Sequence, residues 1–344
     1  MNLFSYFVLP VIKRNQDIDI LRSIALLGVI IAHCSPSDII FQIRQFDVPL
    51  MVILSAISFS ISYKKSDESW LKYCIKRVKR LIFPTWIFLT IYFILFHEVD
   101  VMIVLTSYLL VWGIGYVWII RVFFAMAIFA PIMYKIYSKF KSAFYFWIVI
   151  FLLLCLNELI IYKFYNIINS DLIVKTLFVT IPYFIVYIVG LRLYNAKINE
   201  ILVVAALFIL LFITQAFYLF VDNGVFIHNH PYKYPPRIYY ISYALGISFL
   251  LYAFKNKIVK FVYRVSIKLG NSMCWLAQHT LWIYFWHIVF VKITDALESS
   301  FIRFVLVLVG AVCCTYIQCL LVKFLQLRVK KTVINNNIRI LFEG

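Results

Sequence analysis

The sequence predicts an all-α integral membrane protein, and three observations support this prediction. Of the 344 residues, 64% are hydrophobic and only 14% are charged. The mean hydropathy is +0.94, far above that of a soluble globular chain. Apolar runs of about 17 to 25 residues, long enough to cross a bilayer as helices, recur along the whole chain. We therefore predict a single membrane domain over residues 1–344.

The apolar runs predict about ten transmembrane helices, separated by short polar segments. They cover residues 18–36, 46–63, 81–96, 117–134, 143–162, 174–191, 200–221, 238–254, 273–292 and 302–323. Residues 1–17 are predicted to lie in the cytoplasm or along the membrane surface, and residues 324–344 to form a cytoplasmic tail. The run 99–115 is just long enough to be a span. If it is counted as one, Lys135, Lys139 and Lys141 fall on the outer side, against the positive-inside rule. We therefore expect a re-entrant or interfacial helix there, with an eleventh span as the alternative.

The formal net charge of +18 comes from basic clusters between the apolar runs. These clusters fall in alternate loops, so the positive-inside rule predicts that both termini are cytoplasmic. A nucleic-acid-binding protein is not favoured, because the chain has no polar, basic domain. The seven cysteines form no C-x-x-C pair, so neither a disulfide framework nor a zinc site is predicted.

Three ionisable residues fall within the first predicted helix: Asp19, Arg22 and His33. The eleven positions between Arg22 and His33 bring their side chains within about 20° of each other around a helix axis. A charge at the bilayer centre costs about 2.5 to 3.5 kcal/mol on insertion scales, so such residues usually face a cavity or a partner. The set therefore predicts a polar cavity. Alternatively, Asp19 and Arg22 form an interfacial pair and His33 reaches the outer headgroups.

A second basic group, "KRVKR" at residues 76–80, precedes the third predicted span. Arg77 and Arg80 lie one turn apart in a helix, and two guanidinium groups on one face can bind phosphates of a nucleotide-bearing donor. The alternative is an ordinary basic anchor at the membrane surface.

Aromatic residues and arginines occur together on the predicted outer side. "GYVWIIR" contains Trp118 and Arg121, and "HNHPYKYPPRIYY" contains Tyr234 and Arg237. Arginine beside aromatic rings is typical of sites that bind sugars and their anionic groups, whereas an aromatic belt at the membrane surface is the alternative. The H-x-H motif in this loop lacks acidic neighbours, so no metal site is predicted. His287 lies deep in the ninth predicted helix and is a further candidate.

Several of these segments resemble the membrane acyltransferase-3 family. "RNQDIDILRSIALLGVIIAH" resembles its first-helix signature, including Arg-x10-His, and Arg77 and Arg80 match its cytoplasmic Arg-x-x-Arg. "VPLMVILSA" resembles its second-helix segment, with Ser55 matched and Ala56 in place of glycine. "YVWII", "YFIVYIVGLRL" and "GNSMCWLAQHTLWIYFWH" resemble later motifs of the family. The matches extend over residues 14 to 290.

The resemblance implies an O-acyltransferase of the stand-alone type, without a fused esterase-like domain, in the bacterial inner (cytoplasmic) membrane. The expected reaction moves an acyl group, most often acetyl, from cytoplasmic acetyl-CoA to a hydroxyl of a lipopolysaccharide, a capsule or a lipid-linked glycan precursor. No metal is expected.

The implied roles are a general base at His33, a polar cavity around Arg22 and Asp19, and CoA phosphate binding by Arg77 and Arg80. The substrate-binding candidates are Ser55, Trp118, Arg121, Tyr234, Arg237 and His287. Two other interpretations of the buried charges remain: an exporter or flippase of glycan intermediates, and a scaffold for glycan assembly.

Overall fold

The structure is a computed structural model that describes residues 15–63, 69–98, 100–111, 113–165, 167–168, 174–328 and 332–343. Every regular element within these ranges is a helix, which confirms the all-α prediction. The predicted interfacial segment at the N-terminus lies, up to residue 14, outside the described residues.

The described ranges contain sixteen α-helices, numbered here in chain order. The first eight are α1 (Gln16–Ala32), α2 (Asp38–Ile43), α3 (Asp47–Tyr63), α4 (Trp70–Arg77), α5 (Phe83–Phe96), α6 (Val101–Tyr108), α7 (Trp118–Ser138) and α8 (Ala143–Phe164). The other eight are α9 (Val179–Leu193), α10 (Ile198–Asn223), α11 (Ile238–Ala253), α12 (Lys255–Val265), α13 (Ile267–Gln278), α14 (Thr280–Ile293), α15 (Ser300–Arg328) and α16 (Thr332–Phe342). A π-helical turn, Val78–Ile82, joins α4 to α5, and another, Val174–Phe178, precedes α9.

Seven helical stretches in the described part of the chain are long and apolar enough to cross a membrane. They are Asp38–Tyr63, Trp70–Phe96, Trp118–Ser138, Ala143–Phe164, Thr176–Leu193, Ile198–Asn223 and Ser300–Arg328. An eighth is added if α11 and α12, which are bent by 65°, count as one span. The chain is therefore a multi-pass membrane protein.

Two of the ten predicted spans differ from the helices observed. α1 has 17 residues and is shorter than the predicted span 18–36. The predicted span 273–292 is broken at His279, whose backbone (φ −109°, ψ 22°) leaves the helical region between α13 and α14. The number of spans and the cytoplasmic placement of both termini remain predictions from hydropathy and charge.

The described residues of the run 99–115 do not form a span. Their one helix, α6, has eight residues, or about 12 Å at 1.5 Å per residue. Gly113 follows in a turn with a φ of 56°, and a Cβ there would lie 1.7 Å from Ser107 Oγ. Trp86 Nε1 of α5 donates to the Tyr108 carbonyl at 3.0 Å. The run is thus a short helix and a turn held against α5, and its re-entrant or interfacial placement stays a prediction.

α1 lies in the middle of the bundle, where it contacts α3, α12, α13, α14 and α15. Asn15 caps its N-terminus, because its side-chain oxygen accepts hydrogen bonds from the backbone N–H groups of Asp17 and Ile18 at 3.1 and 3.4 Å. Ser23 Oγ donates to the Met273 carbonyl of α13. These contacts fix the helix that carries three of the candidate site residues.

α3 and α9 approach each other closely at Gly190. A Cβ at Gly190 would lie 2.8 Å from Ala56 Cβ and 2.9 Å from both Cα and the carbonyl oxygen of Ile53. Because backbone atoms of α3 cannot move aside as a flexible side chain would, only glycine fits at this position. The glycine that permits this contact therefore lies on α9, opposite Ala56 of α3.

The C-terminal helix α16 folds back onto the bundle. The ring of Phe342 stacks on Trp282 with centroids 5.9 Å apart, and Trp282 Nε1 donates to the Leu341 carbonyl at 3.0 Å. Gln318 Nε2 of α15 donates to the Phe342 carbonyl at 2.6 Å. The predicted tail 324–344 thus contains a docked helix, whose contacts come from residues far away in the sequence.

Gly190→Ala should lower the free energy of unfolding by about 1 to 3 kcal/mol, the usual cost of overpacking a tight contact. The expected readout is a lower midpoint of thermal unfolding in detergent micelles. Ala206→Leu is the control, because this substitution adds more volume at an exposed position of α10 and should leave the midpoint unchanged. Equal midpoints for Gly190→Ala and the parent chain would contradict the close contact.

Candidate active site

His33 lies directly after α1, where the helix ends and the chain turns towards α2. Its ring meets Tyr116 edge-on, with centroids 5.0 Å apart, and lies 5.4 Å from the ring of His287 on α14. Tyr116 belongs to the loop before α7, so residues from three distant segments of the sequence surround His33. The structure therefore pairs two of the histidines that the sequence singled out.

His287 is fully buried, and its tautomer follows from one contact. Its Nδ1 lies against the Tyr284 carbonyl oxygen, which can only accept, so Nδ1 carries the proton. The other ring nitrogen, Nε2, is buried without a hydrogen-bond partner among the described atoms. Because it is the unprotonated nitrogen of a neutral ring, His287 Nε2 can accept a proton or a hydrogen bond.

Tyr284 joins the two histidines to the loop before α7. Its ring lies 4.8 Å from that of His287, and its hydroxyl donates to the Tyr116 carbonyl oxygen at 2.8 Å. Tyr116 in turn contacts both His33 and His287. The histidine pair is thus held by one tyrosine on α14 and one in a loop.

A cavity of about 810 Å³ opens within the bundle on the side of Arg77 and Arg80, the end that charge predicts to be cytoplasmic. Arg22 lines the cavity, and its Nη2 donates to Ser58 Oγ of α3 at 2.9 Å. Arg22 Nη1 lies 3.5 Å from Asp19 Oδ1. One cavity is thus lined by the first helix, the second predicted span and the Arg-x-x-Arg segment. The candidates that line it are Asp19, Arg22, Ser55, Arg77 and Arg80.

A second cavity of about 500 Å³ adjoins the first and shares with it Phe59, Ser62, Tyr73 and Arg77. Two more cations, Lys76 and Lys135, line this second cavity. The Arg77 guanidinium carbon lies 4.7 Å from the centre of the Tyr73 ring, a cation–π contact. The cytoplasmic end therefore presents a cluster of cations, which we call the inner cationic cluster: Lys76, Arg77, Arg80 and Lys135.

The large cavity stops short of His33. Tyr284 lines the cavity, whereas His33 does not. Leu26 and other apolar side chains of α1 are fully buried between Arg22 and His33. Within the described residues, the predicted polar path from Arg22 to His33 is therefore not observed, because buried apolar side chains of α1 lie between the two.

The outer candidates fall into two groups. Trp118 and Tyr234 lie together, with ring centroids 5.2 Å apart, and Tyr234 is 40% exposed. Arg121 instead donates to the carbonyls of Leu110 and Val111 at 2.9 and 2.5 Å. It therefore holds the loop before α7. Tyr234 of the aromatic pair is therefore partly exposed, whereas these Arg121 donors are engaged with the protein.

Arg237 is also engaged with the protein. Its Nε donates to Glu158 Oε1 at 2.6 Å, and the backbone N–H of Ile238 donates to Glu158 Oε2 at 3.0 Å. One carboxylate thus neutralises the arginine and binds the first N–H of α11. The sequence-based assignment of Arg237 to substrate binding rested on its aromatic neighbours, and the structure gives it an ion pair with α8 instead.

Sequence reasoning missed four charged residues near His33. Arg44, Asp47, Lys233 and Arg303 are all buried, at 7%, 0%, 3% and 6% exposure. The positive charges of Arg44, Lys233 and Arg303 act on the His33 ring. In the sequence, each of these four residues interrupts an apolar or aromatic run, and this pattern could have identified them as candidates.

Lys233 lies in the loop between α10 and α11. Burial lowers the pKa of Lys233 to about 8, although the Asp47 carboxylate opposes this shift. Burial also lowers the pKa of the neighbouring His230 to about 4, so the His230 imidazole is neutral at pH 7. A pKa of about 8 leaves the Lys233 ammonium largely charged at pH 7.

These features define a class: a multi-pass membrane protein with a cavity that contains charged side chains at one end of the bundle and a histidine pair beyond its inner wall. The family model of the acyltransferase domain matches residues 15–322. The chain therefore belongs to the acyltransferase-3 family and is a membrane acyltransferase. The matched range contains every candidate site residue. No curated protein and no solved structure matched the chain.

Thiol labelling tests whether the two cavities open at the predicted cytoplasmic end. Ser62 lines both cavities, so Ser62→Cys should react with a membrane-impermeant maleimide in inside-out vesicles, above the background of the parent chain. Ser60→Cys is the matched control, because Ser60 on the same helix is fully buried and should stay unlabelled. Equal labelling of the two variants would contradict the cavity geometry.

Proposed function

We propose that this membrane acyltransferase is an O-acyltransferase of the bacterial inner membrane. It moves an acyl group, acetyl in the first instance, from cytoplasmic acyl-CoA to a hydroxyl of a cell-surface polysaccharide or of its lipid-linked precursor. One observation carries the proposal. The cavity that is lined by Arg77 and Arg80 also has Tyr284 in its wall, and the ring of Tyr284 lies 4.8 Å from that of His287, the partner of His33.

The inner cationic cluster is suited to bind the donor. Coenzyme A carries a phosphate and a pyrophosphate, and arginine forks bind phosphate oxygens in pairs. Further inside, the polar side chains of Asp19, Arg22 and Ser58 line the same cavity. They offer hydrogen-bonding partners to the amide groups of the pantetheine arm. In this arrangement the phosphates stay at the cytoplasmic end and only the thin arm enters the bundle.

The histidine pair is suited to activate the acceptor. We assign His33 as the general base, because it is partly exposed whereas His287 is fully buried. His33 takes the proton of the acceptor hydroxyl, and the hydroxyl oxygen attacks the thioester carbonyl. The carbon–sulfur bond then breaks, and the CoA thiolate leaves and is protonated. His287, fixed in one tautomer, contributes an adjacent proton-accepting nitrogen.

Tyr284 controls where donor and acceptor meet in this mechanism. Eleven residues of α1 separate Arg22 from His33, about 16 Å along the helix axis. The acyl end of a donor in the cavity would reach the wall that contains Tyr284. A rotation of this side chain would bring the thioester next to the histidines.

The acceptor would approach from the outer side. Trp118 and Tyr234 form an edge-to-face aromatic pair on that side, and aromatic faces stack on sugar rings. Ser55, by contrast, lines the large cavity, so we place it on the donor side.

His33→Ala should lower acyl transfer by about 100-fold or more, the usual contribution of a general base. The assay measures label from acyl-CoA in the glycan fraction of membrane vesicles, with the amount of protein in the membrane checked in parallel. His228→Ala is the matched control, because His228 lies in an outer loop and contacts Gln42. Full transfer by His33→Ala would exclude the base role. Loss of surface glycan with unchanged label per sugar would favour an exporter.

Arg77→Gln combined with Arg80→Gln should raise the KM for acyl-CoA about tenfold, because two phosphate contacts are lost. The acceptor KM should remain as in the parent chain. Lys72→Gln is the control, since Lys72 is exposed on α4 and does not line either cavity. An unchanged donor KM in the double variant would place the CoA phosphates elsewhere.

A further inference from the structure

Two buried cations near His33 share one carboxylate. Arg44 Nη1 lies 2.7 Å from Asp47 Oδ2, and Lys233 Nζ lies 3.8 Å from Asp47 Oδ1. Asp47 Oδ1 also accepts a hydrogen bond from the backbone N–H of Val48 at 2.7 Å. This group of three side chains therefore carries one positive charge more than its carboxylate neutralises.

Arg303 on α15 adds a third buried cation. Its Nη1 donates to Ser35 Oγ at 3.0 Å, and its Nη2 donates to Asp295 Oδ1 at 2.8 Å. The side chain of Asp295 is 80% exposed, so solvent screens its charge from one side. We call Arg44, Lys233 and Arg303 the outer cationic cluster.

The outer cationic cluster has unused hydrogen-bond donors. The Nε atoms of Arg44 and Arg303 are buried without a hydrogen-bond partner among the described atoms. A buried donor without a partner is unfavourable, and more so when the group is charged. An uncompensated buried charge is also strongly unfavourable. Both observations favour an anionic oxygen as the binding partner of this cluster.

The CoA phosphates are not suited to provide this anion. In the proposed function they bind the inner cationic cluster, and the whole length of α1 from Arg22 to His33 lies between the two clusters. The acceptor, by contrast, must place a hydroxyl beside His33. The charges of all three outer cations act on this ring.

We propose that the acceptor is an anionic glycan whose carboxylate or phosphate group binds to Arg44 and Lys233. Lys233 Nζ lies 5.9 Å from the ring centre of Trp118 and 5.7 Å from that of Tyr234. A sugar ring stacked on this aromatic pair would therefore hold its anionic group near Lys233. The inference rests on the proposed acyl transfer and deepens it, because it names the chemical class of the acceptor.

The first experiment identifies the charge of the acceptor. Full-length protein in proteoliposomes receives labelled acetyl-CoA and a glycan and glycolipid extract of the cells that carry the gene. The products are then separated by anion exchange. We expect at least ten times more label in the retained anionic fraction than in the neutral fraction. Label in the neutral fraction alone overturns the inference and leaves acyl transfer intact. No label in either fraction overturns the acyl-transfer proposal as well.

Chemical treatment of the extract distinguishes the two sources of the anion. Carboxyl reduction should abolish acceptance if the group is an acidic sugar. Mild acid, which releases lipid-linked phosphates, should abolish acceptance if the group is the phosphate of a lipid carrier. Undiminished acceptance after both treatments overturns the inference.

The second experiment tests the role of Lys233 directly. Lys233→Met removes the excess charge and leaves the Arg44–Asp47 pair neutral. We expect the KM for the anionic acceptor to rise about tenfold, with the donor KM unchanged. Lys233→Arg, which keeps the charge, should retain the preference for anionic over neutral acceptors.

Lys292→Met is the control, because it also removes a positive charge but lies outside the outer cationic cluster. Lys292 is exposed at the end of α14, and its Nζ lies 4.4 Å from the centre of the Phe96 ring. It should behave as the parent chain does. If Lys233→Met lowers kcat equally for anionic and neutral acceptors, the cluster stabilises the transition state or the fold. That result would overturn the assignment to the acceptor.

Discussion

The fold depends on the high cost of charged groups inside a bundle that is surrounded by lipid. α1 carries such groups near both of its ends, and at each end different contacts stabilise them. At the end that charge predicts to be cytoplasmic, Arg22 and Asp19 face a cavity that Ser58 also lines. At the outer end, His33 is covered by the rings of Tyr116 and His287. Because α1 contacts five other helices, these two requirements constrain the placement of most of the bundle.

The two ends of α1 define two compartments, and Tyr284 separates them. Its ring lines the cytoplasmic cavity and contacts His287, while its hydroxyl holds the loop that covers His33. A solid partition of this kind is compatible with acyl transfer, because a thin donor arm has to reach the acceptor only at one point. In the proposed reaction, the partition would also keep water away from the thioester until the acceptor is bound. The apolar middle of α1 is thus part of the mechanism rather than an obstacle to it.

Hydropathy and local spacing predicted the class of the fold and the cytoplasmic half of the site. The i,i+3 pair of Asp19 and Arg22 and the short interval between Arg77 and Arg80 are local patterns, and the cavity contains all four. The outer half could not be predicted in this way. Lys233 meets Asp47 across 186 positions of the sequence, and helix packing alone brings them together. The break at His279 and the docking of α16 likewise depend on tertiary contacts that no local pattern encodes.

The ion-pair partners of the outer cations are a better guide to their function than the aromatic residues that flank them in the sequence. Arg121 and Arg237 attracted attention because aromatic residues flank them, yet carbonyl oxygens hold the first and Glu158 neutralises the second. Lys233 lies in the same loop as Arg237, and within the described residues it contacts one carboxylate, Asp47, which it shares with Arg44. Of these outer cations, Lys233 therefore contributes an unneutralised positive charge beside the proposed base. An anionic acceptor would neutralise this excess only when its hydroxyl is in place, which couples recognition of the substrate to the geometry of the reaction.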